Sequence, residues 1–305
     1  MIELESHRRF LFGVCYRMTG VAADAEDLVQ QTYARALESP PNDTQSAVRP
    51  WLTTVALNLA RDHLRSRKRR RYDGPFLPSP IPLGDEEQEP PAHEPHDDGP
   101  PRYELLESVS YAFLVALEAL SPAQRAVLLL RDVFDYSVRE TATALAFTEG
   151  NVKVIHHRAR AAMERYDADR IGPHASRETA RAALEAFIGA LTQGDVSAVE
   201  RLLRDDVVAL NDGGGEFFAA RVPVVGRTKV AQFYAKVAAR GGAIAFAGIV
   251  DLNGAPALVI RFDRGPDEAR EAPLSVTRVE VDGDGMIRAI HSVLATAKLT
   301  HVTAR

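Results

Sequence analysis

The chain has 305 residues, 46% apolar and 26% charged, enough apolar material to bury a core and to exclude disorder throughout. Its length fits roughly two domains. A single cysteine, Cys15, excludes an internal disulfide framework and a cysteine-rich zinc site, and the longest apolar run, Ala243–Val250, is far short of the about 20 residues that a membrane span needs. The first ten residues mix both charges and lack a signal peptide's apolar core, so a reducing, cytoplasmic location is expected. The net charge of −5 argues by itself against nucleic acid, but the charge is segregated along the chain.

Phe10, Leu11, Val14, Cys15 and Met18 recur at helical spacing and face one way, with Cys15 a small core residue. Asp24 precedes a second helix as its expected cap. Leu28, Val29, Thr32 and Ala36 form that helix's inner face; Asp27, Gln30, Gln31 and Ala34 lie outside. After a loop from Ser39 to Pro50, a third helix starts near Trp51. Leu52, Val55, Ala56 and Leu59 share one of its faces, and Asn58, Arg61, Asp62, Arg65 and Arg69 share another. Cations there neutralise phosphates, while an amide and a carboxylate address base edges. Composition alone favours a solvated charged face.

Arg61–Arg71 holds seven Lys/Arg against one acid; Tyr72–Pro101 holds eight acids, nine prolines and no cation. Proline removes backbone donors and like charges repel, so an extended linker is expected, a solvated tether over 84–100. Its first part differs, because Phe76, Leu77 and Ile81 are apolar and able to dock.

Ser121-Pro122 starts a helix with Ala126–Leu130 as its apolar run. Ser137 caps a short helix to Leu145, Phe147 turns the chain, and Thr148 caps the next helix, which together make a helix-turn-helix. On the second of these helices Val152, Ile155, Ala159 and Met163 point inward; Lys153, His157 and Arg160 point away, with Arg158 on the flank. Gly150 leaves room for a close backbone approach. A cationic helix of this kind fits the major groove.

A boundary falls near Ile171-Gly-Pro-His174. Beyond it, Ala180, Leu184, Phe187, Ile188 and Leu191 make an amphipathic helix that stops at Gly194, and Asp195 caps a short helix. A strand over Val207–Leu210 follows, then Asn211-Asp-Gly-Gly-Gly215, a helix from about Thr228 to Arg240, and strands around 244–250, 257–262, 274–281 and 286–294. Asp282-Gly-Asp-Gly285 reads as a hairpin turn.

The two helical segments resemble the extracytoplasmic-function sigma factors of bacterial RNA polymerase. Region two is matched by Asp24-Ala-Glu-Asp-Leu-Val-Gln-Gln-Thr-Tyr-Ala-Arg35, Trp51-Leu52 and Asn58-Leu-Ala-Arg-Asp-His-Leu-Arg65. Region four is matched by Leu120-Ser-Pro-Ala-Gln-Arg125, Tyr136-Ser137, Gly150-Asn-Val-Lys153 and His157-Arg-Ala-Arg160. The C-terminal order of helices, then a curved antiparallel sheet, is similar to the SnoaL-like cone fold. Within a group of sigma factors carrying such a domain, the linker motif Trp-Leu-Pro-Glu-Pro corresponds to Phe76-Leu-Pro-Ser-Pro80, Asp-Gly-Gly-Gly to Asp212–Gly215, and the terminal Asn-Pro-Asp-Lys-Leu to Ala295-Thr-Ala-Lys-Leu299.

The resemblance implies a multidomain chain: region two at 1–73, an acidic linker at 74–107, a region-four helix-turn-helix at 108–170, and an α+β cone domain at 177–300. It implies that Asp27, Gln30 and Gln31 dock on the clamp helices of the polymerase's largest subunit. Asn58, Arg61, Asp62 and Arg65 then address the melted −10 element, and Lys153, His157 and Arg158 the −35 element. Phe76, Leu77, Pro78, Asp212, Gly213, Gly214 and Gly215 make the contact by which the C-terminal domain regulates the chain in cis. No cofactor, metal or membrane is implied.

Two rival readings stand beside this one. A cone domain is sometimes an enzyme, with Asp212, Tyr234, Arg261 and His291 as conceivable lining residues, but no paired acid–base spacing, metal motif or nucleophile motif accompanies them. An effector-responsive DNA-binding regulator whose cone domain takes a small molecule leaves the region-two helices without a role.

Overall fold

The computed structural model describes residues 4–39, 48–69, 72–82, 102–105, 107–171, 176–240, 242–263 and 271–303. Most of the acidic stretch, the loop at 40–47, the end of the basic run at 70–71 and the boundary at 172–175 lie outside them. The chain forms two units, one from the described residues of 1–71 and 83–167, the other from those of 72–82 and 168–305. The first part of the linker therefore groups with the C-terminal unit.

The first unit is helical. Helix α1 (Arg8–Thr19) buries Leu11, Val14, Cys15 and Met18 and ends at Gly20 in the left-handed conformation. Burial pushes the Cys15 thiol up to about 12, which keeps it an inert core group. Helix α2 (Ala22–Glu38) begins three residues earlier than its expected cap Asp24 implies: extended Val21 is the N-cap and makes no side-chain cap bond. Asp24 sits in the first turn and accepts from His63 Nε2 at 3.0 Å.

Helix α3 (Val48–Arg69) buries Leu52, Ala56, Leu57, Ala60 and Leu64, while Val55 and Leu59 are only half-buried. The apolar face is rotated from the one the spacing predicts, because α3 packs on α1 and α2 and also on α5 (Pro122–Asp132) and α6 (Val138–Leu145). Between α3 and α5 lies α4 (Tyr111–Leu117), capped by Ser110.

Buried arginines tie these helices together. The last carbonyls of α1 have no partner within the helix. Arg125 Nη1 donates to Met18 O at 2.7 Å and Arg67 Nη1 to Thr19 O at 2.7 Å. Arg17 Nε donates to Ser108 Oγ at 2.7 Å and its Nη2 to Leu105 O at 3.0 Å. Each guanidinium places charge where the helix dipole is negative or where a loop leaves an acceptor.

The sequence-predicted helix starts hold at residue level. Ser121 and Ser137 both form capping boxes, with Gln124 and Glu140 as reciprocal partners. Ala146 takes the left-handed turn (φ 53°), and Thr148 caps α7 (Glu149–Ala162) by accepting from Asn151 N at 3.2 Å. Helix α8 (Glu164–Ile171) follows.

In the second unit α9 (Arg177–Thr192) and α10 (Val196–Leu202) precede strand β1 (Leu203–Asp212). Then come β2 (Val224–Val225), α11 (Arg227–Arg240), β3 (Ala243–Leu252), β4 (Ala255–Asp263), β5 (Leu274–Val281) and β6 (Ile287–Val293). The sheet runs β2-β1-β6-β5-β4-β3, antiparallel except for the parallel β1–β6 pair. Leu184, Phe187, Val199, Val230 and Tyr234 from the helices pack on Val207, Ala209, Val279 and Ile290 of the sheet. Successive strand residues point to opposite faces. The face bearing Asn211 and Ser292 therefore looks toward the helices, and the face bearing Asp212 and Val293 looks away.

Asp132, at the end of α5, is 1% exposed and holds α7 at two successive turns. It accepts from His156 Nε2 at 2.9 Å and from Nε and Nη2 of Arg160. Burial pushes its carboxyl up, but the bonds from His156 and Arg160 outweigh this and hold it below the ordinary aspartate range. A carboxyl depressed in the folded state contributes stability above its unfolded pKa and loses it as pH falls through the folded value. The first unit should therefore lose stability progressively below about pH 4, and Asp132→Asn should flatten that acid limb in melts followed by circular dichroism.

Candidate functional site

Two sets of residues matter: the surfaces of the helical unit, and a buried cluster in the second unit where the linker segment is held.

On α2, Asp27, Gln30 and Gln31 are all exposed on the side opposite Leu28, Val29 and Thr32. On α7, Val152 and Ala159 are fully buried while Lys153, His157 and Arg158 are all exposed. Gly150 has nothing within 4 Å of where a Cβ would stand, so the start of α7 is open to close approach from outside. Arg160 does not point simply away; Asp132 claims it. The i, i+4 spacing of His156 and Arg160 on α7 was the available signal for a carboxylate partner, but its position on another helix is a tertiary fact.

The α3 set divides. Asp62 and Arg65 are exposed and paired at 2.8 Å. Arg61 is only 7% exposed. Its Nη1 donates to Asn58 Oδ1 at 3.0 Å and to Leu145 O at 3.4 Å, and its guanidinium lies 4.9 Å from the Phe147 ring centroid. Burial and the neighbouring Arg65 charge both lower its pKa, against the opposing effect of Asp62. The turn of the helix-turn-helix thus covers one of the α3 residues picked out for DNA.

In the second unit Asp212 ends β1 with no exposed surface, and its carboxylate is fully used. Oδ1 accepts from the Tyr72 hydroxyl at 2.5 Å and from Gly214 N at 3.1 Å. Oδ2 accepts from Leu77 N at 2.8 Å and from Lys298 Nζ at 2.5 Å. Lys298 Nζ also donates to Leu77 O at 2.6 Å and lies 3.3 Å from the Phe76 ring centroid. One carboxylate and one ammonium so hold a linker peptide by both its N–H and its C=O.

The three glycines keep this cluster compact. A Cβ on Gly213 would stand 2.9 Å from Phe217 O, and Gly214 has φ +61° with Ala295 pressed against it. Further along, Ile81 and Asn253 exchange two bonds, Ile81 N to Asn253 Oδ1 at 3.1 Å and Asn253 N to Ile81 O at 2.8 Å. Leu77, Pro78, Ser79, Pro80 and Ile81 are buried between these anchors. The structure brings Phe76, Leu77, Pro78, Asp212, Gly213, Gly214 and Gly215 together. It adds Tyr72, Lys298 and Asn253, which sequence reasoning missed. Lys298 was legible as the one cation in the tail motif; Tyr72 and Asn253 carried no local signal.

The conceivable catalytic residues do not share a face. Asp212 is held by Lys298 on the outer side, whereas the Tyr234 hydroxyl contacts Ser292 Oγ at 3.0 Å on the helix side. His291 is buried with Nδ1 3.6 Å from Glu280, and burial lowers its pKa despite that carboxylate. Among the described residues no cluster of His, Cys, Asp or Glu fits a metal ion, and no helix is long and apolar enough to cross a membrane.

Residues 4–70 match the family Sigma-70 region 2, and residues 110–163 match Sigma-70, region 4. The chain is 31% identical over 303 residues to the ECF RNA polymerase sigma factor SigJ of Mycobacterium tuberculosis, covering 98% of this chain and 92% of that one. This chain belongs to the extracytoplasmic-function sigma factors. The crystal structure of M. tuberculosis SigJ superposes with a TM-score of 0.70 at 27% identity, covering 99% of both chains. The SigG sigma factor of M. tuberculosis is 36% identical over 218 residues, 67% of this chain and 59% of its own. Two helical sigma regions followed by a mixed helix–sheet domain are therefore the architecture of this sigma factor, which acts in promoter-specific transcription initiation.

Removing the ammonium from the buried pair leaves the Asp212 carboxylate without its counter-ion. Lys298→Met should lower the stability of the C-terminal unit by about 3–5 kcal/mol and open the bonds around Phe76–Ser79 to limited proteolysis. Thermal unfolding and mass mapping of the fragments check both effects, and adding Asp212→Asn should restore part of the lost stability.

Proposed function

We propose that this sigma factor engages the clamp helices of the core polymerase through Asp27, Gln30 and Gln31. On this reading Asn58, Arg61, Asp62 and Arg65 capture the melted −10 strand, Lys153, His157 and Arg158 read the −35 element, and the C-terminal domain regulates the chain in cis by holding residues 72–82. It works in the cytoplasm, where polymerase and promoter are. The observation that carries the regulatory part is the grip of Asp212 and Lys298 on both sides of the Leu77 peptide. A segment fixed at that peptide and at Ile81 limits how regions two and four are spaced, and a tethered contact needs little intrinsic affinity.

The state of Arg61 supports a further part of the reading. A guanidinium under the Leu145–Phe147 turn does not meet a phosphate or a base. Opening of regions two and four on the polymerase is then a condition for −10 capture, and differential binding of the open state supplies the energy.

Transcription with core polymerase on a cognate promoter tests these roles. Lys153→Ala and Arg158→Ala should each weaken −35 binding by about 1–3 kcal/mol, whereas Asn58→Ala and Arg61→Ala should reduce open-complex formation. Asp27→Lys should weaken core binding with little loss of stability, about 0.5 kcal/mol at an exposed helix position. A chain ending at Leu294, which lacks Lys298, should differ in activity both from the full chain and from a chain ending near His174. Equal activity of all three removes the in-cis role and leaves the sigma assignment standing.

A further inference from the structure

We propose that Val154 is a specificity-determining residue of α7, and that it reads a thymine by packing on the 5-methyl group of that base in the major groove of the −35 element. The inference rests on the reading of α7 as the −35 helix. It adds to that reading an apolar, methyl-directed contact that the cationic residues do not make.

Val154 is 49% exposed, the one large hydrophobic side chain of α7 that faces solvent to this extent. Its place on the helix is informative. Val152 and Ala159 are fully buried on the inner side, and His156 and Arg160 are fastened to Asp132. These contacts fix which side of α7 faces outward. At about 100° per residue, Val154 stands nearly opposite Val152 and Ala159. Gly150 and Ala161, both exposed, continue the same line. Lys153 and His157 flank that line on one side, Asn151 and Arg158 on the other, all four exposed.

Neither packing nor helix formation asks for valine there. Half of its surface meets water, and a β-branched residue is a poorer helix former than alanine. A lone valine amid cations is too small a patch to seat a protein partner. The arrangement fits a groove with anionic walls and an apolar spot on its floor. Flanking cations meet phosphates on both sides and leave the mid-line of the helix toward the base edges. That line is built of short side chains, and a Cβ on Gly150 would find nothing within 4 Å. The helix is therefore free to lie deep enough for an isopropyl group to reach a base.

The chemistry selects which base. The thymine 5-methyl is the apolar group of the major-groove edge, where the other distinguishing groups are donors and acceptors. Val154 has no polar side-chain atom. Against cytosine or a purine it would cover a donor or acceptor without replacing the hydrogen bond to water. Thymine gives it a methyl to pack on instead.

The test uses the full chain bound to core polymerase, and −35 sequences recovered with it from a randomised promoter pool. Thymines of the recovered element, on both strands, are replaced one at a time by uracil, which keeps base pairing and removes only the methyl. One such replacement should weaken promoter binding about fourfold, the value of one buried methyl. Val154→Ala should weaken binding to the thymine promoter by a similar factor, and in that variant the same uracil should cost nothing further. In the pool, Val154→Ser should lose the thymine preference at that position only. Uracil tolerated at every position, or an element without thymine on either strand, overturns the proposal. So does a uracil effect undiminished in Val154→Ala, since the methyl then acts on another residue or on DNA shape. An unchanged −35 footprint in Lys153→Ala and Arg158→Ala overturns the reading of α7 itself. A weakened footprint with a flat uracil series removes the thymine contact and leaves that reading standing.

Discussion

A single buried carboxylate organises the C-terminal unit. In a medium of low polarity a bare aspartate is too costly to keep, so Asp212 has to be surrounded by donors. Those donors come from four places in the sequence: Tyr72 and Leu77 in the linker, Gly214 in the turn, and Lys298 near the end of the chain. Satisfying the charge and assembling the domain are therefore one event. The tight glycine turn, the docking of apolar linker residues and the course of the chain after β6 all serve the same requirement.

The helical unit meets its own electrostatic demands differently. Its arginines are turned inward, onto the carbonyl ends of α1 and onto loop acceptors. Arginine suits this use because its planar fork bonds acceptors in fixed directions and remains charged when buried. The same property makes arginine a phosphate ligand, and Arg61 stands between the two uses. In this conformation it behaves as packing, with its charge over an aromatic face.

Much of this was legible in the sequence, for identifiable reasons. Helix starts at Ser121, Ser137 and Thr148 were readable because capping is a local bond between residues three apart. The inward faces of α1 and α7 and the positions of the longer strands followed from periodicity, whereas the parallel pairing of β1 with β6 did not. Asp24 misled because an acid in a first turn resembles a cap, whereas the preceding Gly20 and Val21 had already set the start. The face of α3 was misjudged because two sets of helices cover it, and a one-sided pattern does not describe a helix buried on two sides. Asp132 with His156, and Asn253 with Ile81, are pairings across long sequence separations with no local trace. Motif resemblance found both ends of the clamp, but not the carboxylate–ammonium contact that closes it.

The distance along the chain between the clamp's parts has a consequence for synthesis. Lys298 lies 221 residues after Leu77, the peptide whose carbonyl it holds. At a translation rate of about 5–20 residues per second the linker emerges roughly ten to forty seconds before its lysine does. Once α8 has emerged, the helical unit is complete while its tether is still loose. The newborn molecule thus passes through an unclasped form before it reaches the clasped one, and a ribosome that stalls late on the message releases or retains a chain in that earlier form.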